Sequence, residues 1–169
     1  MQVTLEVPSE IPYQLVYRQV RSEPFDVPDR PDARFVFLGS AREAIWERPL
    51  LTRCFGAVGA LKAIAKIATG KRKLYLVTCD GQPVSTGWCS RGMCRYYKIE
   101  PDAVVIGPIE SSPAFQSRGL ATYGLKGCMN ALIGLGHSVF YIDTSKTNYP
   151  SQRVIEKCRF GTPVALYFK

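Results

Sequence analysis

A chain of 169 residues fits one domain, and folding at that length removes roughly 70% of the unfolded chain's surface from water, enough for a core without disulfides or metals. Hydrophobic residues at 46% and charged residues at 21% are ordinary for a soluble globular protein; no apolar run approaches the roughly 18 residues of a membrane span, and Met1 to Glu6 lack the basic-then-apolar order of a secretion signal, so a cytoplasmic protein is expected. The net charge of +8 calls for a polyanionic partner such as a phosphorylated cofactor or a nucleotide-linked substrate, while the basic residues form none of the long or aromatic-interleaved clusters of a nucleic-acid face.

Residues 1–33 read as an extended arm, rich in proline, with one alternating stretch from Tyr13 to Val20 that suits a strand. Arg34 to Leu38 is a short apolar strand closed by Gly39. Ser40 with Glu43 three residues later forms a capping box, opening a helix to about Arg48, where Pro49 interrupts it. From Leu51 to Ala68 a second helix places Leu61, Ile64, Ala65 and Ala68 on one face, with Lys62 and Lys66 off it. Lys71-Arg72-Lys73 follows Gly70 and reads as a solvated helix end. Leu74 to Cys79 and Pro83 to Cys89 are two strands joined by Asp80-Gly81, a strong hairpin signal. Arg91 to Arg95 is a turn, and Tyr96 to Ile99 begins a further strand. Ala103 to Ile109 is another, in which Pro108 marks a bulge or an edge because it cannot donate to a ladder.

The last third alternates regularly. After a loop from Glu110 to Arg118, a helix of about 16 residues ends near Gly134 and Gly136 and buries Ala121, Leu125, Cys128, Met129 and Leu132. Gly124 and Gly127 inside it suggest close approach to a sheet. Val139 to Ile142 is a buried strand ending at Asp143, Ser151 to Lys157 a short helix, and Val164 to Phe168 a final strand. This alternation implies some parallel pairing, whereas the front half is antiparallel, so the class is mixed α/β. The six cysteines (Cys54, Cys79, Cys89, Cys94, Cys128 and Cys158) form no C-x-x-C pair, and His137 alone could join them. They read as small apolar residues in a reducing compartment, with no metal site expected.

One segment carries chemistry. A strand, a loop with Arg118 and Gly119, and a helix start together form an anion site, because the first N–H groups of a helix lack internal partners and its dipole favours negative charge. Gly119 lets a phosphate approach the backbone, and Gln116 and Arg118 add donors. Gln116-Ser117-Arg118-Gly119-Leu120-Ala121 resembles the [Q/R]-x-x-G-x-[G/A] signature of the GNAT N-acetyltransferase family. The preceding Ile109 to Phe115, with its proline and aromatic, is similar to the family's approach to that turn. The segment Asn148 to Phe160 resembles the family's Asn, small residue, aliphatic, Glu-Lys, Phe pattern. The likeness covers about residues 34–169 and is specific from 103 to 160.

The resemblance implies a single domain over 1–169, divided into the arm (1–33), a first half (34–102) and a coenzyme A-binding half (103–169). It implies a mostly antiparallel mixed sheet flanked by helices, with a V-shaped splay between the family's fourth and fifth strands. Acetyl-coenzyme A is the implied donor. Its pyrophosphate would meet Gln116, Ser117, Arg118, Gly119, Leu120, Ala121 and Thr122, and its pantetheine arm the backbone at Ile109, Glu110 and Ser111. Asn148 and Ser151 would face it from the opposite wall. A backbone N–H near Ser111 would polarise the thioester carbonyl. The acceptor amine must lose a proton; Glu110 is the first candidate base and Asp143 the second. The family's helix tyrosine, which protonates the departing thiolate, is replaced by Ile155, leaving Tyr149 or Ser151 to substitute. Arg159 stands where the family has glycine. The chain also has room for one final strand where the family has a hairpin, so a partner subunit or the N-terminal arm would complete the sheet.

The expected activity is therefore transfer of an acetyl group to a small-molecule amine by direct attack, in a monomer or homodimer. An acyl-carrier-protein donor and a non-catalytic acyl-coenzyme A-binding regulator of the same fold are the alternatives.

Overall fold

The computed structural model describes residues 13–168; the first 12 residues of the expected arm, with Pro8 and Pro12, lie outside them. In chain order, β1 spans Tyr13–Val20 and β2 Arg34–Leu38, followed by α1 (Ala41–Trp46) and α2 (Arg48–Ala68). Next come β3 (Arg72–Cys79), β4 (Gln82–Arg91) and β5 (Val104–Ser111), then α3 (Leu120–Gly134), β6 (Val139–Ser145), α4 (Tyr149–Lys157) and β7 (Ala165–Phe168).

The strands form one seven-stranded sheet in the order β2-β3-β4-β5-β6-β1-β7. All neighbours are antiparallel except β5 and β6. The parallel pair follows from the α3 crossover, whereas β3 and β4 are joined by the two-residue turn Asp80-Gly81, which only antiparallel neighbours allow. At the β3–β4 hairpin both Asp80 (φ 50°) and Gly81 (φ 72°) are left-handed, the backbone a tight primed turn demands. The N-terminal arm completes the sheet: β1 lies between β6 and β7, with Tyr17 opposite Ile142 and Leu15 opposite Leu166.

The sheet divides the core. On one face α3 and α4 bury Leu125, Cys128, Met129, Leu132 and Ile155 against Tyr75, Val104, Ile106 and Phe140. On the other, α1 and α2 cover Val36, Leu38, Leu74 and Leu76, and the segment between β4 and β5 lays Cys94, Tyr97 and Ile99 over Val105, Tyr141 and Val16. The sequence places Gly124 and Gly127 at a close helix–sheet contact, and both lie there, against Tyr75 and Val77 and against Phe35. The capping box at Ser40 and Glu43 is formed with both of its reciprocal hydrogen bonds. Cys79, Cys89, Cys128 and Cys158 are buried, where they pack as small apolar groups.

Three expectations are corrected. The buried face of α2 is Leu50, Leu51, Ala60, Ala63 and Ile67, while Leu61 is 56% exposed and Ala65 and Ala68 face solvent. Beyond the kink at Gly56 (φ 72°, ψ 171°) the helix turns its small residues Ala60 and Ala63, with Ile67, into the core. Tyr96 to Ile99 form no strand; Tyr97 and Ile99 pack flat on the sheet instead of joining its edge. Arg72 and Lys73 begin β3 rather than ending a helix, and the Lys73 ammonium donates to the Gly39 carbonyl at 3.1 Å.

Candidate active site

The site begins where β5 and β6 part. Their pairing is confined to Val104–Phe140 and Val105–Tyr141. Beyond it, β5 keeps to β4 through Ser111 and β6 keeps to β1 through Ser145. An extra residue in β5 contributes to the divergence: β4 pairing passes from Cys89–Ile106 to Gly87–Ile109, a bulge around Gly107-Pro108. A bulge bends its strand and increases the local twist, and Pro108 has no N–H to give a neighbour. The result is a V-shaped opening with Ile109, Glu110 and Ser111 on one lip.

From that lip the chain makes a single 3₁₀ turn at Pro113–Phe115 and an extended step at Gln116. Ser117 (φ 64°) and Gly119 (φ 74°) are both left-handed. Gly119 is the N-cap of α3, and no side chain caps the helix, so its opening N–H groups at Leu120, Ala121 and Thr122 have no capping partner. A side chain at Gly119 would find only the Arg30 Nη1 atom within 4 Å, at 3.8 Å; the approach to the backbone is open. Leu120 is buried beside Val77, Cys79 and Val84 and anchors the helix start. Gln116, Ser117 and Arg118 are exposed, with the Arg118 guanidinium 5.2 Å from the Phe115 ring centroid. This arrangement of uncapped N–H groups, dipole and guanidinium suits a phosphate.

The segment Asn148–Phe160 supplies a helix with well-made ends. Asn148 Oδ1 accepts the Ser151 N–H at 3.2 Å, so its side chain caps α4. Tyr149 is 64% exposed and, with Tyr17, Gln152 and Arg153, lines a groove of about 570 Å³. Ser151 is half-buried in the first turn. Ile155 is 2% exposed and lies in the core, so no hydroxyl projects from that position. Arg159 has φ 61°: the Arg159 and Phe160 N–H groups donate to the carbonyls of Glu156 and Ile155 at 2.8 and 3.3 Å, a Schellman closure whose left-handed residue is usually glycine.

The two candidate acids lie on the sheet face away from α3. Glu110, opposite Thr86, is exposed. Burial first, and then the Glu110 charge, push the Cys54 thiol of α2 up to about 11, which sets Glu110 beside that helix. Asp143 is engaged on both oxygens, accepting the Tyr97 and Tyr167 hydroxyls at 3.0 Å each. Burial and then the Asp143 charge raise both phenols well above their ordinary range. Tyr96 stacks on Tyr167 with centroids 5.1 Å apart. Ser111 shares a 3.1 Å hydroxyl–hydroxyl hydrogen bond with Ser85 across β4 and β5. Thus Glu110, Ser111 and the Gln116–Thr122 turn share one lip, while Asp143 belongs to an aromatic cluster on the other strand.

Sequence reasoning missed Tyr97 and Tyr167 as holders of Asp143, and Arg30 and Asp32 beside the turn. The Tyr96-Tyr97 pair was the only visible signal for the first. Arg30 lies far from the turn in sequence and carries no signal at all.

The model of the acetyltransferase (GNAT) family matches residues 70–160, a span that contains the bulge, the turn and α4. A comparison with curated protein sequences finds no match. Among solved structures, the aminoglycoside N-acetyltransferase AAC(6')-Iy in complex with a bisubstrate analogue is 18% identical, with a TM-score of 0.61 over 81% of this chain and 96% of that one. A tandem GNAT protein from the clavulanic acid biosynthesis pathway is 16% identical at a TM-score of 0.65, over 94% of this chain and 52% of its own. An aminoglycoside acetyltransferase from an uncultured soil metagenomic sample is 10% identical at a TM-score of 0.60. At these identities the likeness is one of fold.

Proposed function

The chain belongs to the acetyltransferase (GNAT) family, and we propose that it transfers an acetyl group from acetyl-coenzyme A to the amine of a small molecule by direct attack on the thioester. The observation that carries this reading is the β5–β6 splay opening beside an uncapped helix start. The residues there fit the donor. Gln116 to Thr122 offer N–H groups and a guanidinium to its pyrophosphate, and the β5 lip at Ile109 to Ser111 offers an unpaired strand side to its pantetheine arm. Two solved structures of the aminoglycoside enzyme named above contain coenzyme A, which supports the same donor here.

The acceptor enters on the α2 face, where Glu110 stands exposed on the lip while both Asp143 oxygens are engaged by tyrosines, and Glu110 takes the proton that the ammonium must lose before attack. N–H groups on the lip polarise the thioester carbonyl, stabilising the oxyanion as it develops. Asp143, held by two tyrosines, positions that wall and attracts the acceptor's charge. With Ile155 in the core, the thiolate leaves without an acid from mid-helix, tolerable for a thiol of ordinary pKa near 8.5. Tyr149 and Ser151, at the start of α4, are the hydroxyls nearest in sequence to that role. A monomer or homodimer in the cytoplasm accords with this reading; among the described residues no helix is long and apolar enough to cross a membrane.

The same buried Ile155 favours one second reading, a regulator that binds acyl-coenzyme A without turnover. Calorimetric titration with coenzyme A, followed by thiol-release assays against a panel of amines, tests both. Binding with thiol release on at least one amine is expected. Binding without release on any amine selects the regulator, and absence of binding refutes both.

A further inference from the structure

The connection between β1 and β2 reaches across the molecule to the turn that opens α3. Arg30 Nη1 donates to the Arg118 carbonyl at 2.8 Å, while its Nε and Nη2 donate to the two oxygens of Asp32 at 3.1 and 2.9 Å. Asp32 also accepts from Arg118 Nη2 at 3.3 Å. The Arg30 guanidinium lies 6.0 Å from the Tyr123 ring centroid, and Tyr123 in turn donates its N–H to the Gly119 carbonyl at 2.9 Å. One guanidinium thus ties together a backbone carbonyl of the turn, a carboxylate and the first turn of α3. The Arg30 side chain is the more buried of the two arginines, 23% against 47% exposed.

The tie acts where the backbone needs it. Arg118 sits between two left-handed residues, Ser117 and Gly119, and a non-glycine residue in that region costs on the order of 1 kcal/mol. Such a turn persists only when its surroundings over-determine it. The bidentate fork of Arg30 on Asp32 fixes the guanidinium plane, leaving its third nitrogen aimed at the Arg118 carbonyl. Asp32 meanwhile holds the Arg118 side chain beside the exposed N–H groups. The Arg30 and Arg118 charges outnumber the single Asp32 charge, so the local field still favours an anion.

We propose that Arg30 is a positioning residue of the donor site, clamping the Arg118 carbonyl and, through Asp32, the Arg118 guanidinium so that the turn is ready to receive the donor's pyrophosphate. This rests on the reading of the turn as the coenzyme A site. It makes the donor site depend on a segment outside the residues 70–160 matched by the family model. Hydrogen bonding from Arg30, more than any other cause, holds the Asp32 carboxyl below its ordinary range, as the clamp requires.

The test compares wild type, Arg30→Ala and Arg30→Lys with coenzyme A in calorimetry, and with acetyl-coenzyme A and acetyl-pantetheine, which lacks the pyrophosphate, in turnover. Loss of a charge-assisted hydrogen-bond set predicts a coenzyme A Kd and an acetyl-coenzyme A KM raised roughly 10- to 100-fold in Arg30→Ala. The kcat, and kcat/KM for acetyl-pantetheine, stay close to wild type. Lysine keeps the charge but not the fork, so Arg30→Lys should bind as poorly as the alanine variant. Wild-type affinity in either variant overturns the clamp, as does an equal loss with both donors, the signature of general structural damage. A wild-type protein that binds no coenzyme A refutes the function first and the clamp with it; binding by wild type and both variants alike refutes the clamp alone.

Discussion

Replacing Gly87 with alanine tests how α3 is brought close enough to the sheet for its N-terminus to serve the splay. Gly87 lies opposite Tyr75 on β3 and opposite Ile109 on the β5 lip. The Tyr75 ring, fully buried, crosses it. A Cβ at Gly87 would stand 2.6 Å from Tyr75 Cζ and 2.7 Å from its hydroxyl, and nearer still to Cε1, where ordinary contact is 3.4–4 Å. The ring must therefore retreat by about 1 Å. It cannot, because on the other side Gly124 of α3 closes on the same ring: a Cβ there would meet Tyr75 Cε2 at 2.9 Å. Overpacking costs about 1–3 kcal/mol, and a ring blocked on both sides belongs at about 3 kcal/mol. Removing a strand glycine returns about 0.5–1 kcal/mol, for a net loss near 2 kcal/mol. In a domain of this size that lowers Tm by about 4–8 °C, measurable by thermal and urea denaturation. Tyr75→Phe should not rescue the variant, since Cε1 and Cζ remain, whereas Tyr75→Leu should, with a coupling of about 1 kcal/mol or more in a double-mutant cycle. A Gly87→Ala protein as stable as wild type, or the absence of coupling to Tyr75→Leu, refutes the sandwich.

Three further outcomes follow from the site. Arg159→Gly should stabilise the protein by about 0.5–1 kcal/mol, because the left-handed penalty of about 1–2 kcal/mol disappears while the unfolded chain gains part of it back; a lower Tm would contradict the Schellman assignment. Glu110→Gln should cut kcat on the order of 100-fold with coenzyme A affinity unchanged, and a retained rate removes Glu110 as the base. Alkylation of Cys54 should be slow near neutral pH and rise only toward a midpoint of about 11, since burial and then the Glu110 charge disfavour the thiolate; Glu110→Gln should move that midpoint down, and an unchanged midpoint would separate the two residues.

Much was legible from short-range grammar. The hairpin at Asp80-Gly81, the capping box at Ser40, the bulge at Pro108 and the helix start after Gly119 are each set by backbone conformations that few residues tolerate, so a dipeptide or a tetrad suffices to reveal them. The candidate donor turn belongs to this class, because Gln116 to Ala121 and its helix are contiguous. The buried face of α2 was not legible: after Gly56 both Leu61, Ile64, Ala65 and Ala68 and the smaller set Ala60, Ala63 and Ile67 recur at helical spacing, and only the sheet selects the second. Nor were Tyr96 to Ile99, whose alternation suits an edge strand and an apolar cover equally well.

By itself the sequence determined most of the order of elements, the mixed sheet and the backbone of the candidate donor turn, since all three depend on local propensity and on residues near one another in the chain. Only the tertiary structure decided that the N-terminal strand lies between β6 and β7, that Asp143 is engaged by two tyrosines while Glu110 stands exposed beside Cys54, and that Arg30 grips the turn from 88 residues away. Those choices rest on pairings across long loops. Their energies arise from packing and hydrogen-bond geometry that no local pattern encodes.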